Sequence, residues 1–223
     1  KGLRLNTRVV LVGTGILLGL GMLLFYALEH RYSLAGFDLK TQYLTAFFQS
    51  VTTRTAGFNT ISMSGLRNPT YLLMMVFMFI GGASGSTAGG VKINSLALFL
   101  AYVNSLLKDK REVTLYNHSI AKDLVLRALL ILLFGLVSVL AGMMVLSITE
   151  SAPFLYICFE TVSAFGTVGL SAGITSALSI IGKYVIILLM FIGRIGPLTL
   201  LAAAAQRIRQ VQIEHPTGEI LIG

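Results

Sequence analysis

The stretch TQYLTAFFQSVTT, Thr41 to Thr53, decides how this chain is built. Its thirteen uncharged residues are apolar enough to enter a bilayer, but as a helix they rise only about 20 Å against about 30 Å of hydrocarbon. Such a segment enters a membrane and cannot cross it. It runs into small polar residues and glycine, TTRTAGFNT (Thr52 to Thr60). A second segment of the same kind, APFLYICFETVSA (Ala152 to Ala164), leads into SAFGTVGLS (Ser163 to Ser171). There Ser151 is expected as the N-cap, with Pro153 near the first helical position.

The two regions read as copies. FQSVT (Phe48 to Thr52) matches FETVS (Phe159 to Ser163), and TAGF (Thr55 to Phe58) matches TVGL (Thr167 to Leu170). The glycines stand 169 − 57 = 112 residues apart, and MFIG at Met78 recurs at Met190, again 190 − 78 = 112. One offset shared by separate motifs is the signature of a duplication. Each copy reads as outer helix, short re-entrant helix, glycine-containing loop and inner helix. The copies run parallel to each other.

Composition agrees with a membrane setting. Of 223 residues, 55% are hydrophobic and 12% charged, against roughly 25% charged in a soluble domain, and the mean hydropathy is +0.84. Uncharged runs cover Val9 to Leu28, Tyr71 to Val91, Ala128 to Thr149 and Thr161 to Gly182, while Tyr184 to Gln206 carries one charge, Arg194. The net charge of +8 gathers in three clusters: Lys1, Arg4 and Arg8; Lys108, Lys110, Arg111, Lys122 and Arg127; Arg207 and Arg209. Paired spans put all three on one side, so the positive-inside rule predicts a multi-pass protein of the plasma membrane with both termini cytoplasmic and no call for nucleic acid. The lone Cys158 excludes an internal disulfide. The chain begins at Lys1, and it is expected to be part of a longer product.

The expected fold is therefore an all-α membrane protein of two tandem pore units. Residues 1–107 form the first, 108–123 a cytosolic connector, 124–206 the second and 207–223 a cytosolic tail. Non-helical backbone at membrane depth survives only where it is buried or lines an aqueous cavity. A short helix aims the negative end of its dipole at that cavity and favours a cation there. Carbonyl rings that follow such helices replace the hydration shell of potassium, and TVG (Thr167, Val168, Gly169) is part of the TVGYG filter signature. TAG (Thr55, Ala56, Gly57) is a looser version. These six residues are the predicted selectivity filter, with potassium held by backbone carbonyls and no catalytic residue.

SVTTRTAGFNT, GGASGSTAGGVKI, ETVSAFGTVGLS and FIGRIGPLTL together resemble the third and fourth pore repeats of the membrane subunit of Ktr-type bacterial potassium uptake systems, in the Trk/Ktr/HKT superfamily. The resemblance covers essentially the whole chain. Family members carry four repeats around one pore, so it implies half of a four-repeat, potassium-channel-like pore and an upstream half with two further repeats. It also implies one functional filter glycine per repeat, Gly57 and Gly169 here. The same resemblance implies a homodimer of pore subunits on a cytosolic ring of nucleotide-binding regulatory subunits, with nucleotide only on that partner, and uptake of potassium that is often sodium-dependent.

GGASGSTAGG (Gly81, Gly82, Ala83, Ser84, Gly85, Ser86, Thr87, Ala88, Gly89, Gly90) lies inside a hydrophobic segment and admits four readings. A phosphate loop is disfavoured because Val91 separates Gly90 from Lys92. GASG resembles a rhomboid nucleophile motif with Ser84, but His30, His118 and His215 lie at or beyond span ends. Gly81, Gly85 and Gly89 form overlapping GxxxG packing frames. The fourth reading is a break in an overlong inner helix: Tyr71 to Tyr102 is 32 residues, roughly 48 Å as one helix, so an unwound mid-membrane loop could obstruct the path below the filter as a gate. The duplication places Gly82 opposite Arg194, since 82 + 112 = 194. A mid-membrane arginine needs partners, and the loop's carbonyls are available to its five donors.

Arg54 is expected on the outer side, bracing the filter loop or reaching for the interface. Glu160 is read as a structural hydrogen-bonder, KDKRE (Lys108 to Glu112) as a solvated turn and VQIEHPTGEILIG as a partner contact. The chain is not read as an enzyme. The rival functions are a non-conducting assembly subunit of a membrane complex and an intramembrane serine protease.

Overall fold

The computed structural model describes residues 3–110 and 112–196. The described chain is mostly helical: α1 (Leu5–Glu29), α2 (Leu39–Thr52), α3 (Asn68–Phe79), α4 (Ile93–Leu107), α5 (Lys122–Thr149), α6 (Phe154–Phe165) and α7 (Ile180–Ile195). Helices α1 and α5 are long and apolar enough to cross a membrane. They turn leucine-rich faces outward, Leu20 and Leu23 on α1, Leu133, Leu136 and Leu140 on α5. Their small residues face in: a Cβ on Gly142 would press on Leu189 of α7 and lie 3.0 Å from Thr161 of α6. That polarity suits a bilayer solvent, where close packing of small residues joins helices.

The short segments are separate helices of 14 and 12 residues, about 21 and 18 Å long. Asp38 starts α2, its carboxylate accepting from the Thr41 amide and satisfying one orphan donor of the first turn. In α6 the expected Ser151 cap is not made. The helix begins at Phe154 behind Pro153 with no side-chain cap, because the proline's fixed φ of −55° already sets the entry. The uncharged run Thr161 to Gly182 is not one span: α6 stops at Phe165 and a loop with a 3₁₀ turn at Thr175–Ala177 follows.

Backbone geometry repeats the 112-residue offset. The 3₁₀ turns Met63–Gly65 and Thr175–Ala177 are 175 − 63 = 112 apart, and the starts of α3 and α7 are 180 − 68 = 112 apart. The copies interlock, since α3 of the first unit packs on α6 of the second. Tyr71, fully buried, sits edge-on to Phe159 at 5.2 Å, and Phe79 stacks on Phe165 at 5.7 Å.

One element departs from an all-helical expectation. Residues Val113–Leu115 (β1) and His118–Ile120 (β2) form an antiparallel hairpin within the connector, closed by Tyr116 and Asn117 at φ 47° and 63°. Two central residues with positive φ make the turn type that matches strand twist. Val113 anchors the hairpin by packing with Ala101 and Val125. Of KDKRE, Lys108 to Lys110 and Glu112 are exposed, with a turn at Lys108 and Asp109 as expected, and they lead into the hairpin. Residues 197–206 of the second unit, the tail 207–223, Arg207, Arg209 and His215 lie outside the described residues.

Candidate functional site: two loops over a broken helix

Both predicted filter segments begin where a short helix ends. After α2, the amides of Ala56 and Gly57 reach back to the Thr52 carbonyl at 3.2 and 3.4 Å, while the Thr52 hydroxyl bonds the Phe58 carbonyl. After α6, Thr167 and Val168 donate to Ala164 and Ser163 at 3.0 and 2.9 Å. Thr55 and Gly57 have φ of 66° and 76°, Thr167 and Gly169 of 50° and 93°. The left-handed pattern therefore recurs at the same offset, threonine to threonine and glycine to glycine. A β-branched residue with positive φ is a genuine outlier, and strain of this type, about 1–3 kcal/mol per residue, persists only where the surroundings impose it and gathers at functional sites.

The two loops touch through backbone. Thr55 Oγ1 donates to the Gly166 carbonyl at 3.3 Å. A Cβ on Gly57 would overlap the Val168 carbonyl oxygen and stand 3.3 Å from the Gly169 Cα. Ala56 is exposed and Val168 buried, so the hydrophobic member of the second loop faces protein.

Beneath them the inner helix of the first unit is broken. Helix α3 stops at Phe79, α4 starts at Ile93, and GGASGSTAGG between them is non-helical, so Gly81, Gly85 and Gly89 do not form helical packing frames. Backbone bonds close the neck of this loop: Gly81 N to Val91 O at 2.7 Å, Val91 N to Phe79 O at 3.1 Å and Ile93 N to Gly82 O at 3.1 Å. Its tip, Ser84 to Thr87, is exposed, whereas Ala88, Gly89 and Gly90 are buried. A Cβ on Gly89 would strike the Thr167 side chain, and one on Gly90 would lie 2.9 Å from the Phe79 carbonyl. The loop thus runs directly against Gly166 and Thr167, at the start of the second predicted filter segment.

Three cations hold it. Arg194, in the last turn of α7, donates through Nη1 to the Thr87 carbonyl. Lys92 Nζ bonds the Ala88 carbonyl. Arg54 is not turned outward and does not bond the filter carbonyls: its Nη1 donates to the Gly81 carbonyl at 3.1 Å. The sequence alone could not give this direction, since hydropathy places a residue in depth and says nothing of where a loop side chain points.

Two carboxylates that the sequence reading passed over organise the far ends of the inner helices. Glu29, fully buried, accepts from Arg67 N at 3.1 Å and from the Thr70 hydroxyl. Glu150 accepts from Ser179 N at 2.9 Å and Ser179 Oγ at 2.6 Å. Arg67 and Ser179 are the N-cap residues of α3 and α7, so each outer helix ends in a carboxylate at the positive pole of its own inner helix. The Ser179 hydroxyl bond, above all, holds the Glu150 carboxyl below the ordinary carboxylate range. Glu160 accepts from the Thr175 hydroxyl, a structural bond away from the filter. Ser84 has no histidine bonded to it among the described residues: His30 and His118 bond carbonyls of their own turns.

Two short helices ending in strained glycine loops are thus set among apolar helices around a broken inner helix. Residues 8–215 match the TrkH family of cation transport proteins, and the chain belongs to that family. It is 40% identical over 225 residues to Ktr system potassium uptake protein B of Bacillus subtilis, covering 100% of this chain and 50% of that protein. The potassium/sodium uptake protein NtpJ of Enterococcus hirae is 37% identical over 230 residues, covering 100% of this chain and 51% of the relative. The chain therefore spans about half the length of these relatives. The crystal structure of the potassium transporter TrkH from Vibrio parahaemolyticus superposes with a TM-score of 0.69 at 23% identity, over 86% of this chain and 43% of that one, a likeness of fold.

Proposed function

We propose that this chain supplies two of the four loops of a potassium-conducting pore in the plasma membrane, with Thr55, Ala56, Gly57, Thr167, Val168 and Gly169 as its part of a backbone-carbonyl filter. The observation that carries the reading is the matched left-handed backbone of the two loops, 112 residues apart and in contact. Left-handed residues turn successive carbonyls in directions a regular helix forbids, and helices α2 and α6 bring the negative ends of their dipoles to the same place. Carbonyls arranged this way replace hydration oxygens of a monovalent cation. Below the filter, residues Gly81 to Gly90 form a gate whose tip is latched by Arg194.

The relatives' names, potassium uptake and potassium/sodium uptake, support potassium as the transported ion with sodium as a second cation. On this reading the pore is completed by an upstream half with two further loops, pairs as a homodimer and sits on a cytosolic ring of nucleotide-binding regulatory subunits. Both termini of this segment then face the cytoplasm.

Rubidium uptake in potassium-uptake-deficient cells tests the reading. The full-length pore chain carrying this segment, with its regulatory subunits, is compared with Gly57→Ser and Gly169→Ser. Uptake that falls or loses selectivity with either serine supports a shared filter. Unchanged uptake and selectivity in both variants refutes it.

A further inference from the structure

The gate reading uses Arg194 and leaves Arg54 without a task, although Arg54 is the more deeply placed of the two. It is half-buried, one residue before the filter segment, and its Nε and Nη2 are shielded from solvent with no acceptor while Nη1 holds the Gly81 carbonyl. A guanidinium in such a position is expensive unless its donors are used. Gly81 is the residue at which the glycine loop leaves the inner helix, and its amide is already paired with Val91 across the neck. Among the described residues no backbone amide donates to its carbonyl, and Arg54 takes it. Arg194 holds the opposite end, the exposed tip, at Thr87.

We infer that Arg54 is a positioning residue that ties the neck of the glycine loop to the first filter segment and so holds Thr55 to Gly57 in place whatever the position of the tip. This rests on the reading of the loop as a gate and adds a link that reading does not contain. Arg194 is a latch, made and broken as the tip moves. Arg54 is a fixed pivot, because the Gly81 amide, the Val91 amide and the Ile93 amide all bind backbone at the same neck. The adjacent Thr55 hydroxyl reaches the second loop at Gly166, which extends the tie across both filter segments. Because this side chain joins the neck of the loop to the first filter segment, its removal alters which cation passes and not only how much.

The test separates those two effects. Initial rubidium and sodium uptake rates are measured per molecule of protein at the cell surface, for the full-length pore chain with its regulatory subunits and for Arg54→Gln, Arg54→Lys, Arg194→Ala and the double variant Arg54→Gln/Arg194→Ala. Arg54→Gln is expected to lower the rubidium-to-sodium ratio by about tenfold, the scale of one lost hydrogen bond from a charged donor. Arg54→Lys keeps the charge and one donor and is expected to restore part of the ratio. Arg194→Ala raises flux with the ratio held, and the double variant shows both changes independently. If Arg54→Gln does not reach the membrane, the ratio in Arg54→Lys decides alone, a fall of about threefold or more supporting the pivot. A ratio unchanged in every Arg54 variant that reaches the surface, while Gly57→Ser still loses selectivity, overturns this inference and leaves the pore reading intact. Filter serines without effect would instead overturn the pore reading.

Discussion

Gly57 and Gly169, proposed as filter glycines, have the same backbone sign and different neighbours, and alanine at each should separate them. Any L-residue at φ 76° or 93° carries about 1–2 kcal/mol of left-handed strain. At Gly169 that is nearly the whole cost, since a Cβ there finds only the Gly57 Cα, 3.5 Å away, in ordinary contact. At Gly57 the Cβ would overlap the Val168 carbonyl oxygen and lie 3.2 Å from its carbon. Backbone cannot rotate away as a side chain can, so the loops must separate, at an additional cost of about 1–3 kcal/mol typical of overpacking. That difference corresponds to about 5- to 150-fold in population. The assay is initial rubidium uptake per surface molecule, with sodium competition, for Gly57→Ala and Gly169→Ala in the full-length chain. Gly57→Ala should lose at least about fivefold more uptake or selectivity than Gly169→Ala. Equal losses, or a greater loss at Gly169, would refute the reasoning that loop-to-loop contact and not strain alone sets tolerance.

Gly193 in α7 offers no space either: a Cβ there would overlap the Phe165 carbonyl and lie 2.8 Å from its carbon, so Gly193→Ala should push α7 from the end of α6 and destabilise by about 1–3 kcal/mol, read as a lower melting midpoint in detergent. Glu29→Ala strands three donors, the Ser33 and Arg67 amides and the Thr70 hydroxyl, in a fully buried site and should cost about 2–5 kcal/mol, clearly more than Glu150→Ala by the same melt. Because the Glu150 carboxyl is held below its ordinary range, its contribution is complete above about pH 4.3 and disappears as the pH falls through its depressed value. The melting difference between wild type and Glu150→Gln should therefore shrink on acidification, and a difference that grows would contradict the assignment. Arg194→Ala releases the loop tip at Thr87 and should raise cation flux in the intact transporter, whereas unchanged flux at equal surface expression would count against the latch.

Much of this architecture was legible because duplication writes the same distance twice. The offset of 112 found in TAGF, TVGL and MFIG reappears in turns, helix starts and left-handed residues, since equal spacing between motifs forces equal backbone paths. The paired carboxylates escaped for the same reason. Glu29 and Glu150 are 150 − 29 = 121 residues apart, as the link between outer helix and filter is nine residues longer in the first unit, and a search at one offset passes over them. The break at the glycine stretch was readable from helix length, and a bond from Arg194 to a carbonyl of that loop from donor count, although the arithmetic put Gly82 opposite Arg194 and the bond is made at Thr87. Arg54 was misdirected because depth does not fix direction. The hairpin at Val113 to Ile120 depends on Tyr116 and Asn117 both adopting positive φ, a choice the polar connector does not announce by composition.

The closed neck of the glycine stretch bears on how such a protein can change over generations. Because the chain departs at Ile80 and returns beside it at Val91, helices α3 and α4 are joined as though the residues between were spliced out. Residues added or lost at the exposed tip, between Ala83 and Thr87, lengthen or trim a leaf without shifting either helix in the bilayer. The part proposed as the gate can thus be re-cut by small insertions while the frame of α3 and α4 keeps its length, its register and its outer surface.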